Sequence, residues 1–206
     1  MTAQASPELT RVVVSVDGRD PAYRESIDTE ALLSLKGDER TQAEDLLIKH
    51  LEGQDWRIPP ALSEMKSRRA KKPLRRRLTT AKGRMRLAVS RALVDLGELK
   101  SMDQAVIDVL DEGEYAGSMA ALSEAEDLES EIVKEALLSA TMEHPEPEVR
   151  GSAAATLLYM DGIAEDPLAW DHRELTQRFG ESDEKVRKEA YNELLELLGR
   201  EPDEMA

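Results

Sequence analysis

The sequence predicts an all-α fold in which short helices pack side by side as a stack of helical hairpins. From Ser26 onward the apolar residues recur at helical spacing. Gly and Pro residues divide this part of the chain into pieces of about 8–17 residues, each too short to be stable as an isolated helix in water. A similar apolar pattern also returns after 30, 34 and 37 residues, which is typical of helical repeats.

The composition excludes several classes of protein. The chain has 206 residues, a net charge of −15, 40% apolar residues, 3% aromatic residues and no Cys. Without Cys it has no disulfides, thiolate metal sites or thiol nucleophiles. No run approaches 18 apolar residues and the first residues do not resemble a secretory signal, so we expect a cytoplasmic protein with no membrane partner.

The N-terminal residues 1–25 are predicted to form a short irregular arm. Residues 11–16 (RVVVSV) form the one β-branched run of the sequence, and Asp17 and Gly18 follow it as a turn signal. We therefore expect one short strand or extended segment there. Residues 26–206 are predicted to form the repeat domain.

The predicted helices follow one another in pairs. Residues 27–35 and 43–51 form an opening pair, and residues 56–65 and 73–78 form a weaker second pair. Later first helices carry apolar residues at i, i+4 and i+8, which share one helix face. These segments begin at Met85, Val149 and Val186, each followed by Arg, and in less complete form at Tyr115. The sum is about five hairpins and a closing helix.

The pattern apolar-Arg-x-x-Ala-x-x-x-Leu on the first helix of each unit resembles HEAT-like (PBS-lyase-type) α-solenoid repeats. The resemblance covers residues 26–199 and is clearest in residues 147–162 (PEVRGSAAATLLYMDG) and 183–199. It is poor in the third unit, where Ala116 replaces the Arg and Gly117 weakens the helix. The alternative is a non-repetitive helical bundle with the same amphipathic period.

The resemblance implies an exposed helical surface suited to binding another macromolecule. The chain is also similar to small acidic bacterial HEAT-like proteins, several of which are thought to act as immunity partners of antibacterial toxins. This similarity implies a non-enzymatic immunity protein that occludes the active site of a cognate toxin. A generic scaffold or assembly factor is an alternative within the same class.

The charges are segregated along the chain. Residues 65–94 contain twelve Lys or Arg and no Asp or Glu, whereas residues 101–149 contain fourteen acidic residues and the single base Lys134. We call the first set the basic band (residues 66–91). It either binds an anionic partner or neutralises acidic helices next to it. Its candidate partner-binding residues are Arg68, Arg69, Arg75, Arg76, Arg77 and Arg84.

Nucleic acid is the alternative partner for the basic band, as in HEAT-like DNA glycosylases. The net charge of −15 opposes the approach of a polyanion, and the band contains no aromatic residue to stack on bases. Both features disfavour nucleic acid. The large acidic surface instead favours a basic protein partner, and the resemblance to immunity proteins implies that this partner is a toxin domain.

Two further groups are candidate binding residues. The string Trp170, Asp171, His172 and Arg173 follows Pro167, and we expect Asp171 to be the N-cap of the next helix and Trp170 to pack as a hydrophobic staple. The same four side chains are the alternative candidates for partner contact. Trp56 is expected to fill the joint between the first two units or to contact the partner.

No motif for catalysis or metal binding is present. The sequence has no GxSxG, GxxxxGK[ST] or GxGxxG pattern, and its three histidines, His50, His144 and His172, lack the spacing of metal ligands. We therefore predict no catalytic residue, metal or cofactor, and a protein that is not an enzyme.

Overall fold

A computed structural model describes residues 5–18, 21–167 and 170–201. These residues form twelve α-helices and two short 3₁₀-helices, with no strand among them, which confirms the predicted all-α class. The α-helices are α1 (Pro7–Asp17), α2 (Thr29–Ser34), α3 (Gly37–His50), α4 (Ile58–Glu64), α5 (Lys71–Leu78), α6 (Gly83–Asp95), α7 (Asp103–Asp111), α8 (Tyr115–Ala125), α9 (Glu131–Glu143), α10 (Pro147–Met160), α11 (Arg173–Arg178) and α12 (Glu184–Leu197). The 3₁₀-helices are Pro21–Tyr23 and Trp170–His172.

The chain divides into two compact units. The first contains the described residues up to Ala81 together with Ala88–Met102, and the second contains Lys82–Leu87 together with the described residues from Asp103 onward. In the first unit α1 packs on α2 and α3, and α4 packs on α2 and α3. In the second, α7 packs on α8 and α9, and α10 packs on α8, α9 and α11. Packing between helices close in sequence agrees with the predicted solenoid-like arrangement.

The prediction of a strand or extended segment at residues 11–16 is wrong, because this segment belongs to α1. Ser6 is the N-cap, Pro7 occupies the first turn and Gly18 ends the helix at φ +65°. Helical spacing then places Leu9, Val12 and Val16 on one buried face. Burial of that face outweighs the β preference of the valines.

Arginine side chains bind the ends of neighbouring helices in both units. In the first, Arg57 Nη1 donates to the carbonyl of Ser15 at 3.1 Å, near the C-terminus of α1. In the second, Arg150 on α10 donates from Nε to the carbonyl of Phe179 at 2.8 Å and from Nη1 to that of His144 at 2.9 Å. His144 ends α9 and Phe179 ends α11. Arg150 therefore fixes both helices relative to α10.

Candidate functional site

Trp170 is the most exposed large apolar side chain among the described residues. Its exposed fraction is 76%, and the Arg173 guanidinium lies 4.1 Å from the centroid of its ring. The expected staple is therefore wrong, since the ring stacks on Arg173 instead of packing into the core. The predicted cap is also wrong: His172 is the N-cap of α11, and it makes no side-chain capping bond. A 3₁₀ turn through Trp170, Asp171 and His172 moves the helix start past Asp171.

A large cleft in the second unit lies beside Trp170. Its volume is about 960 Å³, and it is lined by one face each of α8, α10 and α11 together with the segment before α11. Trp170, His172 and Arg173 all line it, so the structure brings together three of the predicted residues. Asp171 is exposed and does not line the cleft.

The side chains that line the cleft differ in size. Those of α10 include the small residues Gly151, Ser152 and Ala155 beside the larger Glu148 and Leu158. Met119 and Leu122 of α8 form the apolar part of one wall. Gly151 has a second role, because a Cβ atom there would lie 2.8 Å from the Thr176 carbonyl oxygen. Its missing side chain therefore lets α11 lie close against α10.

Carboxylates dominate the charge of the cleft. The acidic lining residues are Glu126, Glu148, Asp166 and Glu181, against Arg173 and His172. Burial raises the pKa of the Glu126 carboxyl, and the neighbouring charges of Asp127 and Asp166 raise it further. A cation placed beside Glu126 would relieve this unfavourable environment.

A buried polar pair joins two helices of the second unit. Ser118 of α8 and His144 at the end of α9 share a hydrogen bond of 2.9 Å between Oγ and Nε2. The Glu146 backbone N–H donates to His144 Nδ1 at 3.1 Å, so in the neutral ring Nε2 carries the proton and donates to Ser118. Burial lowers the pKa of His144.

Four cations of the basic band form ion pairs with acidic residues of the first unit. Arg69 pairs with Glu44 at 2.9 Å and with Asp45 at 2.5 Å. Lys71 pairs with Glu98 at 2.8 Å, Arg75 pairs with the same Glu98, and Arg76 pairs with Glu52. These contacts support the interpretation that the band balances nearby acidic helices.

The remaining predicted binding residues lie apart from the cleft lining. Arg77 donates to the Gly53 carbonyl at 2.9 Å, Trp56 is half-buried, and Arg68 is exposed. All three belong to the first unit. Arg84 is exposed and belongs to the second unit, but it does not line the cleft.

Sequence analysis missed the acidic residues of the cleft. One signal for them was available: Met119, Leu122, Ser123 and Glu126 recur at helical spacing, which puts a carboxylate at the end of an apolar helix face. The other acidic residues belong to segments separated in sequence, and only the packing of α8, α10 and α11 collects them.

The described residues contain neither a metal-binding cluster nor a membrane-spanning helix. Within residues 5–18, 21–167 and 170–201, no group of three or more His, Asp or Glu side chains is placed to hold a metal ion. Over the same residues, every helix is too short or too polar to span a bilayer.

Comparisons with known proteins gave no match to a family model, a curated protein or a solved structure. The resemblance to HEAT-like repeats therefore depends on the residue pattern alone.

Proposed function

We propose that this chain is a non-enzymatic protein-binding module whose partner occupies the cleft beside Trp170. The observation that carries the proposal is an indole ring 76% exposed at the edge of a cleft of about 960 Å³. Trp is enriched among the residues that dominate protein–protein affinity, because it buries a large rigid surface at low entropic cost. The stacked Arg173 restricts the ring before a partner arrives.

The charge of the cleft supports a basic protein as the partner. Four carboxylates line it, and the whole chain has a net charge of −15. Long-range attraction would speed the encounter with a basic surface and repel acidic competitors. A toxin domain with a basic active-site cleft, which the resemblance to immunity proteins implies, belongs to this class of partner.

Buried hydrogen bonding supports a non-enzymatic role. The Ser–His pair within the described residues, Ser118 and His144, has exposed fractions of 0% and 5%. A substrate cannot reach a nucleophile at that depth. The pair instead joins α8 to the end of α9.

Affinity capture from the native strain tests the proposal. We expect the tagged chain to retain one stoichiometric partner, and Trp170→Ala to lose it. Ile132→Ala is the matched control, because Ile132 is 56% exposed on α9 and lies outside the cleft lining. Equal retention by Trp170→Ala and by the control would contradict the proposal.

Co-expression tests the immunity role specifically. If the neighbouring gene encodes a toxin, the wild-type chain should restore growth of cells that express it, and Trp170→Ala should not. A captured partner that is harmless to the cell would favour the scaffold or assembly role and exclude immunity.

A further inference from the structure

The cleft has the form of a groove between two helices. α8 and α11 both pack on α10. The lining residues Met119 and Leu122 lie on one face of α8, Glu126 follows at its C-terminal end, and Arg173 and Gln177 lie on one face of α11. Between these walls, α10 contributes the small lining residues Gly151, Ser152 and Ala155 together with larger ones such as Leu158. A segment that enters the groove can therefore approach the backbone of α10 closely.

We infer that the occupant of this groove is an amphipathic helix of the partner protein that carries Lys or Arg beside its apolar face. The inference rests on the proposed function and adds the conformation and charge of the bound segment. The cleft volume of about 960 Å³ is comparable to that of about two turns of an α-helix, which is about 10–12 Å across and rises about 5.4 Å per turn. An amphipathic helix fits such a groove through apolar residues at i, i+3, i+4 and i+7.

The lining selects a helix over a β-strand. Strand addition needs an exposed sheet edge with unpaired backbone groups. Residues 5–18, 21–167 and 170–201 contain no strand, so the groove offers no sheet edge to which a strand could be added. Its helical walls instead favour recognition through side chains, which is the mode of a helix lying in a groove.

The lining also selects a basic helix over an acidic one. Four carboxylates line the groove, while Arg173 is stacked against Trp170. Glu126 is half-buried with a raised pKa, so a bound cation would stabilise its charged form. Apolar side chains of the same helix would contact Met119, Leu122 and the indole of Trp170.

Peptide binding followed by tryptophan fluorescence tests the inference. The probe is a 14-residue amphipathic Leu/Lys peptide, compared with the same peptide interrupted by a central Pro and with a Leu/Glu version. We expect the Leu/Lys helix to shift Trp170 emission to the blue and to bind at least about tenfold more tightly than either comparison peptide, since one lost hot spot costs this much. Trp170→Phe should remove the shift, which assigns the signal to this residue and not to Trp56.

Charge-reversal variants distinguish peptide binding in the groove from attraction by the net negative charge of the chain. Glu148→Lys should weaken binding of the Leu/Lys peptide about tenfold. Asp111→Lys is the matched control, because it has the same net charge and alters an exposed residue of α7 outside the groove. Glu181→Gln provides a second groove variant if Glu148→Lys does not fold by circular dichroism.

Two outcomes would overturn the inference. Equal binding of the Pro-interrupted peptide would show that a helix is not required, and equal weakening by Asp111→Lys would show attraction without a site. If a partner is captured through Trp170 and its crosslinked segment is acidic or non-helical, the proposed function stands and this inference fails. If Trp170→Ala leaves capture unchanged, the proposed function itself fails.

Discussion

Gly117 sets the distance between two segments of the second unit. A Cβ atom at this position would lie 3.1 Å from Gly83 Cα and 3.3 Å from Val109 Cγ1. In sequence the residue indicates only a weakened helix, because glycine has low helix propensity. In the structure its missing side chain is what allows α8 to lie against the start of α6.

Replacing Gly117 by Ala distinguishes these two roles by the sign of the effect. Helix propensity alone predicts stabilisation by about 1 kcal/mol. The close contacts predict destabilisation by about 1–2 kcal/mol, because Gly83 and Val109 must both move away from the new methyl group at position 117. Urea denaturation measures the difference, and we expect a lower midpoint. Ala120→Gly on the same helix measures the propensity contribution separately.

His144 makes stability depend on pH. Burial, which is the largest cause, and the charge of Arg150 lower its pKa, while the contacts with Glu146 act in the opposite direction. The folded state therefore binds fewer protons at this site than the unfolded state, so its stabilising effect is complete above the unfolded pKa of about 6.5. This stability is lost as the pH falls below that value.

We expect the melting temperature of the wild-type protein to fall more between pH 7 and pH 5 than that of His144→Gln. Glu126, whose pKa is raised, changes stability in the opposite direction over this range, so the comparison between variants is the informative one. His50→Gln, at an exposed histidine, should retain the wild-type dependence. Parallel pH profiles for wild type and His144→Gln would contradict this account.

At the scale of helices, the Arg of the repeat pattern has a definite structural task. Arg57 and Arg150 donate to carbonyls at the C-terminal ends of other helices, whereas Arg187 donates to the Glu181 carbonyl in the segment before α12. The C-terminal carbonyls of a helix lack partners within it and carry partial negative charge, so a guanidinium satisfies them and complements the helix dipole. Arg86 departs from this pattern, because it pairs with Asp108 and Glu112.

Arg150→Met tests this role. Arg150 is 9% exposed, and its loss would leave the carbonyls of His144 and Phe179 buried without a donor. We expect a loss of about 2–4 kcal/mol in the free energy of unfolding, measured in urea. Arg75→Met removes an ion pair of an exposed Arg and should change stability little, because Lys71 still pairs with Glu98. Equal effects of the two substitutions would contradict the assigned role.

The same scale shows why helix type was predictable in most places and not in α1. The apolar period from Ser26 onward predicts the correct fold class, because burial of one apolar face provides most of the stability of a short helix. The β-branched run at residues 11–16 predicts a strand, whereas the Ser6–Pro7 start signal and the Leu9–Val12–Val16 spacing predict a helix. The structure shows the helix. Strand and helix signals are both present in the sequence. The helix prevails because α2 and α3 pack on α1, and the sequence alone does not show that contact.

At the scale of the whole chain, the segregation of charge is visible in the sequence, but its pairing is not. The basic band is a continuous run, whereas its partners Glu44, Asp45, Glu52 and Glu98 lie outside it. The cleft is similar, since Trp170, His172 and Arg173 are one string but the acidic lining is assembled by packing. Contacts between residues so far apart in sequence can be identified only from the three-dimensional structure.

Pairing of the basic band predicts that the wild-type protein does not bind nucleic acid. Arg69, Lys71, Arg75 and Arg76 already contact carboxylates, so they release few counterions from a phosphate backbone. With a net charge of −15 adding repulsion, we expect no gel shift of a short DNA duplex in about 50 mM salt.

Removing the paired carboxylates tests whether the ion pairs are what prevents the basic band from binding DNA. Neutralising Asp45, Glu52 and Glu98 to Asn or Gln should produce measurable, salt-sensitive DNA binding, because it exposes a basic surface. Neutralising the exposed Asp111, Glu129 and Glu196 changes the net charge equally and should not. A shift by the wild-type protein that disappears when Arg75, Arg76 and Arg77 are reversed would instead establish the basic band as a nucleic-acid site.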